Sequence, residues 1–280
     1  GGLSAIGLAY CIQVHPKFSI GFTLNAWEDW LGDNGWEQTN KEYGTGLHIP
    51  TTTTFTFESL SRDCYSFSGF NANIGFLWNI TGKLTLGAVF KSPFTADLEH
   101  QSFFGYSMRS PDPAFNTDFS SGFTKDEELD MPMSYGLGFA YRFSDEFTVA
   151  ADVYRTEWQD FILTDSEGNQ TSPISGVKKS ESDIDPTHQI RIGAEYLFIG
   201  KKYVVPLRGG LFYDPAPAEG NPDNFFGFSL GSGIAVGRFI FDIAYQFRFG
   251  NDVGESILGH MEFSQDIYEH TAYLSLIFHF

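Results

Sequence analysis

Arg238-Phe239-Ile240-Phe241-Asp242-Ile243-Ala244-Tyr245-Gln246-Phe247-Arg248-Phe249 alternates without a slip. One face reads Phe, Phe, Ile, Tyr, Phe, Phe and the other Arg, Ile, Asp, Ala, Gln, Arg. A period of two is that of a β-strand with one oily and one wet side. The stretch before it, residues 226–236, places Phe226, Phe228, Leu230, Ile234 and Val236 opposite glycines, Ser229 and Ala235. Residues 189–198 set Ile190, Ile192, Ala194, Tyr196 and Phe198 against Gln189, Arg191, Gly193, Glu195 and Leu197.

The same reading gives eleven strands, starting near Leu3, Phe18, Phe70, Leu84, Met133, Phe147, Gln189, Val204, Phe226, Phe239 and Thr271. Short turns fall at 14–17, 80–83, 144–145, 200–202 and Gly237, and long polar, aromatic stretches at 29–68, 99–132, 159–188, 215–225 and 250–270. Tight turns at one end and long loops at the other are the asymmetry of bacterial outer-membrane barrels. The bulky face of each strand would then meet lipid. A soluble sandwich also alternates, but it would bury the second face. That face carries Asp152, Arg191, Glu195, Arg208, Asp242 and Arg248, and buried charges are costly unless paired. In a wet lumen they are tolerated. The expected fold is therefore all-β, a transmembrane antiparallel β-barrel forming a single domain over residues 1–280.

Composition agrees. Net charge is −18, and no basic patch exists to bind nucleic acid. Mean hydropathy is −0.17 and no apolar run is long enough for a membrane helix, which excludes helical spans but not strands. Phe and Gly each number 30, a pairing that suits a barrel. Cys11 and Cys64 are the only cysteines, and the strand map sets them too far apart to bridge. Gly1-Gly2 opens neither a signal sequence nor an initiator, so the chain is expected to begin inside a longer precursor. Strand parity sharpens this expectation. With all short turns on one side, the first and last strands both descend, and an even-stranded barrel then needs at least one more ascending strand before Gly1.

The runs "GFNANIGFLWNITGKLTLGAVFKSPF" (69–94), "LDMPMSYGLGFAYRFSDEFTVAADVYRTEWQDF" (129–161) and "RIGAEYLF" (191–198) are similar to the FadL/TodX family of outer-membrane transporters for long-chain fatty acids and other hydrophobic compounds. The tightest match runs from Met131-Pro132 to Trp158. The resemblance implies a barrel of about fourteen strands, of which these are the last eleven. The family's N-terminal hatch, its Asn-Pro-Ala signature and its kinked third strand have no counterpart in these residues. It also implies passive diffusion of the substrate and a bacterial outer-membrane location.

In the resembled family the two longest loops capture substrate. Here Trp27, Trp30 and Trp36 sit in or beside the first, and Phe103, Phe104, Tyr106, Phe115, Phe119 and Phe123 crowd the second. The bland alternative is that these rings pack the loops together or form an interfacial belt. The six lumen charges have two readings, a seat for a substrate carboxylate or a paired ladder that stiffens the wall, and their balance favours the ladder. Pro206 inside a strand marks either a kink or a tolerated bulge. Asp165, Glu167, Asp183 and Asp185 are read as solvated surface in preference to a calcium site, and His270 and His279 lie too far apart to share a metal. No catalytic motif is present, so no enzyme activity and no cofactor are expected. The expected partners are hydrophobic small molecules or lipids, together with outer-membrane lipid and lipopolysaccharide. The alternative function is a FadL-like barrel serving as a protein-interaction or secretion-apparatus subunit, with its partner at the extracellular loops. The last strand would turn Leu274, Leu276, Phe278 and Phe280 to lipid and Tyr273, Ser275, Ile277 and His279 inward. A terminal aromatic on such a strand resembles a barrel-assembly signal.

Overall fold

The protein is described by a computed structural model covering residues 1–28, 34–49, 52–255 and 264–279. Its strands are β1 (Ala5–His15), β2 (Phe18–Trp27), β3 (Gly35–His48), β4 (Thr53–Asn79), β5 (Leu84–Lys91), β6 (Phe94–Arg109), β7 (Thr117–Met131) and β8 (Ser134–Arg142). They continue as β9 (Phe147–Thr156), β10 (Ile162–Thr164), β11 (Gln170–Thr171), β12 (Thr187–Ile199), β13 (Tyr203–Tyr213), β14 (Phe225–Val236), β15 (Phe239–Val253) and β16 (Gln265–Phe278). Antiparallel pairing joins β1-β2-β4-β5-β8-β9-β12-β13-β14-β15-β16 into one curved wall. These are the eleven expected strands. Among the described residues, β1 pairs only with β2 and β16 only with β15, so the wall is not closed.

Two expected loops are strands instead. Residues 29–68 and 99–132 contribute β3, the first half of β4, β6 and β7, which pair in the order β3-β4-β6-β7 and end in the short β10 and β11. The result is a second sheet rising from the long-loop end of the wall. Strand β4 belongs to both sheets: its 27 residues reach roughly 90 Å at ~3.3 Å per residue. These segments read as loops because their alternation is diluted with Ser, Asp and Glu. A hairpin ladder satisfies its backbone whatever its side chains are, so a weak pattern still forms strands. Pro93 and Pro132 mark the transfer points, where β5 gives way to β6 and β7 to β8. Proline cannot donate to a ladder, so it sits where the chain leaves one set of partners for another.

Large apolar side chains on the wall face outward, with Leu8, Leu137, Leu211 and Leu274 each more than 60% exposed, as a lipid-facing surface requires. On β16, Leu274, Leu276 and Phe278 share that side with Phe239, Phe241 and Ile243 of β15, while Tyr273, Ser275 and Ile277 face in. Phe280 lies outside the described residues. The turn between β14 and β15 depends on Gly237, whose φ of +57° is unfavourable for any side chain with a Cβ. Pro206 interrupts the β13–β14 ladder between the Val204–Ala235 and Leu207–Ser232 pairs. Register is the same on both sides, so this is a gap and not the expected bulge. The Ser232 hydroxyl donates to the Pro206 carbonyl at 2.9 Å across the gap.

The tightest packing lies where the sheets meet. Phe67, Ala96, Leu98 and Leu129 are buried there against Trp27, Trp36, Phe94, Met131, Phe161 and Leu163. Asn34, itself buried, clamps this core: its side-chain amide donates to the Phe67 carbonyl, and its Oδ1 accepts the backbone N–H of Ser4, both at 2.8 Å.

Candidate functional site: an aromatic face above a small-residue lumen

Cross-strand register shows which predicted residues meet. On the upper sheet, Trp36 of β3, Tyr65 of β4 and His100 of β6 are in register on one face, and their rings form a continuous stack. Trp36 and Tyr65 lie 4.8 Å apart and Tyr65 and His100 4.1 Å apart, with near-parallel planes, and Phe123 of β7 meets the His100 ring edge-on at 5.2 Å. Further along the same face, Tyr106 lies beside Phe57, and Phe104 beside Phe119. Gly44 and Gly46 of β3 are opposite Phe57 and Phe55, and a Cβ at Gly44 would overlap the Phe57 ring.

Five of the nine predicted aromatics, Trp36, Phe104, Tyr106, Phe119 and Phe123, therefore share this face. Phe103 follows the alternation to the opposite face, and Phe115 sits at the tip near His48. Trp27 is placed in the junction core, stacked on Phe94 at 6.2 Å, with its indole N–H donating to Asn71. Trp30 lies outside the described residues. Sequence reasoning missed Phe55, Phe57, Tyr65 and Met108 on this face. The signal for the three β4 residues, aromatics at i and i+2 in residues 53–67, was legible once that stretch is taken as a strand.

Below the junction, the inner face of the wall is built in rows. One row crosses Thr85, Ala140, Ala150, Gly193, Gly210 and Ser229, all small. The neighbouring rows carry the charges. Asp152 and Arg191 pair in register on one side of it, and Glu195 and Arg208 on the other. Arg208 donates to Glu195 at 2.6 Å and to Asp242 at 2.7 Å, while Arg248 meets Glu269 at 2.9 Å and Asp214 at 3.3 Å and covers the Phe225 ring. Arg191 forms no ion pair among the described residues and donates only to the Gln189 amide oxygen, at 2.9 Å. Two cavities open on this face. One, of about 850 Å³, is lined largely by small residues of β1, β2, β4, β5, β8 and β9, and the other, of about 860 Å³, by the charged strands β12 to β16. Ala150, Asp152 and Arg191 border both.

At the outer rim, just past β9, the Arg155 guanidinium grips Glu157 at 2.6 and 3.0 Å, with Gln159 and the Tyr135 hydroxyl also donating. The Arg155 hydrogen bonds, followed by those of Gln159 and Tyr135, outweigh burial and hold the Glu157 carboxyl down to about 2. A lowered carboxylate pKa stabilises the fold above the unfolded value and loses that contribution as pH falls through the folded one. Rim stability should thus be flat from neutral pH to about pH 5 and decline towards pH 2, with Glu157→Gln making the decline shallower; urea melts across that range check this. Asp165 accepts from the backbone N–H of Glu167 and Asn169 and from the Asn169 amide, so it closes its own turn.

The profile of the outer membrane protein transport proteins (OMPP1/FadL/TodX) matches residues 4–224. The chain belongs to this family. As a FadL/TodX-family protein, it is an outer-membrane barrel that transports hydrophobic compounds. Its fold is shared with the CymD monoaromatic hydrocarbon channel, at TM-score 0.53 and 18% identity over 98% of this chain and 71% of that one. The crystal structure of the Ralstonia pickettii toluene transporter TbuX gives TM-score 0.50 and 15% identity over 98% and 67%. A Pseudomonas aeruginosa FadL homologue gives 0.51 and 16% over 96% and 75%. No curated protein matches the chain.

Proposed function

We propose that the hydrophobic compounds carried by this protein include long-chain fatty acids, captured on the aromatic face and passed down the lumen by passive diffusion. The observation that carries this reading is the split inner face. Small residues leave room for an acyl chain beside Arg191, whose guanidinium has no carboxylate partner among the described residues. Arg208 and Arg248 are already held by acids.

Each buried methylene is worth ~0.8 kcal/mol, so a dozen amount to about 10 kcal/mol. A single well of that depth would trap the ligand. Exposed rings outside and an open small-residue row inside divide the burial into shallower stages, which favours passage without an energy source. The alternative, a scaffold or secretion subunit, predicts a lumen closed by charge pairs. The ion pairs seen here lie on β12 to β16 and leave the row through Ala140, Ala150 and Gly193 open.

Proteoliposome uptake of a labelled long-chain fatty acid and of the corresponding alcohol tests this. Both should enter without an energy source. A contact between a charge and a carboxylate in a wet lumen is worth about 0.5–1 kcal/mol. Arg191→Gln should therefore slow the acid roughly two- to fivefold and leave the alcohol unchanged. Absence of uptake for both compounds would refute the reading.

A further inference from the structure

His100 lies between two acids in a way that no neutral imidazole can satisfy. Its Nε2 is 3.1 Å from Oδ1 of Asp63 on β4, and its Nδ1 is 3.2 Å from Oε1 of Glu127 on β7. A neutral ring has one N–H and one lone pair, so one nitrogen would turn a lone pair towards a carboxylate oxygen. Both contacts become hydrogen bonds only if the trio holds one further proton, on the ring or on a carboxylate. The surroundings demand the same. The His100 side chain is 11% exposed and that of Glu127 9%, and the second Glu127 oxygen is buried with no hydrogen-bond partner. Asp63 accepts from Ser102 as well, which with the His100 contact holds it below the usual carboxylate range despite burial, so it stays an acceptor.

The groups facing His100 are Asp63 and Tyr65 from β4, Trp36 and Gln38 from β3, Leu98 and Ser102 from its own strand, and Glu127, Lys125 and Phe123 from β7. Lys125 is its register partner on β7, but its ammonium lies over the Phe123 ring, 5.1 Å from the centre, and within reach of Asp165. With the Lys125 ammonium shared with Asp165, the two carboxylates facing His100 keep a negative balance that one bound proton reduces.

We propose that this proton makes His100 a pH-dependent positioning residue for the capture face. The proton ties β7 to β4 across β6 and holds the His100 ring flat on Tyr65 and edge-on to Phe123. When it leaves as pH rises, a lone pair faces a carboxylate, the tie opens, and the Trp36–Tyr65–His100–Phe123 array loses its order. Capture then weakens on the alkaline side. The proposal rests on the reading of this face as the capture surface.

The test uses the full chain in detergent micelles. Histidine labelled with ¹⁵N, with His100 assigned by His100→Gln, reports the ring protons from about pH 5 to about pH 8 and above. Binding of a fluorescent fatty alcohol, whose own charge is constant, reports capture over the same range. The expected result is a proton lost from the Asp63–His100–Glu127 trio as pH rises, seen at the ring nitrogens, with probe affinity falling at least about threefold in step. His100→Phe keeps the stack without the proton and should bind the probe with no pH dependence. Glu127→Gln should flatten the profile too, because its amide can donate to a neutral ring. An unchanging His100 signal, or a His100→Phe profile that matches the wild type, overturns the proposal. If the probe binds at no pH, capture on this face is refuted and with it the role given to His100, while the nitrogen signals still show whether the proton is there.

Discussion

Replacing Phe67 with alanine is expected to destabilise the junction between the two sheets by about 3–5 kcal/mol, the usual loss when a fully buried phenylalanine is truncated. Phe67 is 1% exposed and meets Trp27 and Phe94 edge-on at 5.8 and 6.2 Å. Neither ring can collapse into the space. Trp27 is tied by its indole N–H to Asn71, and Phe94 follows Pro93 at the point where β6 leaves the wall. The cavity would stay open, which is the costly outcome. Because β4 is one continuous strand through the junction, its hydrogen-bond ladder survives and the damage should be confined to the upper sheet. Denaturation followed by tryptophan fluorescence should show this sheet melting early, with proteolysis directed to residues 34–66 and 97–128. A loss below about 1 kcal/mol would mean that this core does not hold the upper sheet in place.

Filling the lumen should have the second large effect. Ala150 is opposite Ala140 on one side and Gly193 on the other, in the middle of the small-residue row and at the border of both cavities. An indole there has no large neighbour to displace and can only project into open space. Ala150→Trp should reduce uptake of hydrophobic compounds tenfold or more, equivalent to about 1.4 kcal/mol on the barrier. The wall should fold normally. Uptake in proteoliposomes, compared with a lipid-facing control that borders neither cavity, such as Ile190→Trp, measures this. Equal rates for the two variants would show that the ligand does not pass this row. Some glycines of the same face are poorer places for such a test. At Gly138, for example, a Cβ would come within 3.1 Å of the Asp152 side chain, so a substitution would disturb the wall before it blocked the lumen.

These two experiments address parts of the protein that were unequally legible in the sequence. The wall was readable because lipid imposes a uniform demand on one face of every strand. Residues 239–249 and 226–236 therefore announce themselves, and that Asp152, Arg191, Arg208 and Arg248 share the face opposite the bulky side chains follows from alternation alone. In the upper sheet no solvent imposes such a demand. Phe55 and Phe57 alternate with Thr56 and Glu58, but the rings are only half-buried and water is acceptable on both sides, so the pattern passes for a polar loop.

Among the candidate residues the same limit applies. A period of two fixes the side of the sheet to which a residue points and says nothing of its neighbour on the next strand. The sequence alone determined an eleven-strand membrane wall, the placing of its charges on one face and the family resemblance, because each is a property of single strands. Only the tertiary structure decided that Trp27 belongs to a core, that Arg208 bridges Glu195 and Asp242, and that His100 stands between Asp63 and Glu127. Those relations depend on register between residues far apart in the chain, 37 positions for His100 and Asp63 and 44 for Trp27 and Asn71, and register is set when whole hydrogen-bond ladders close.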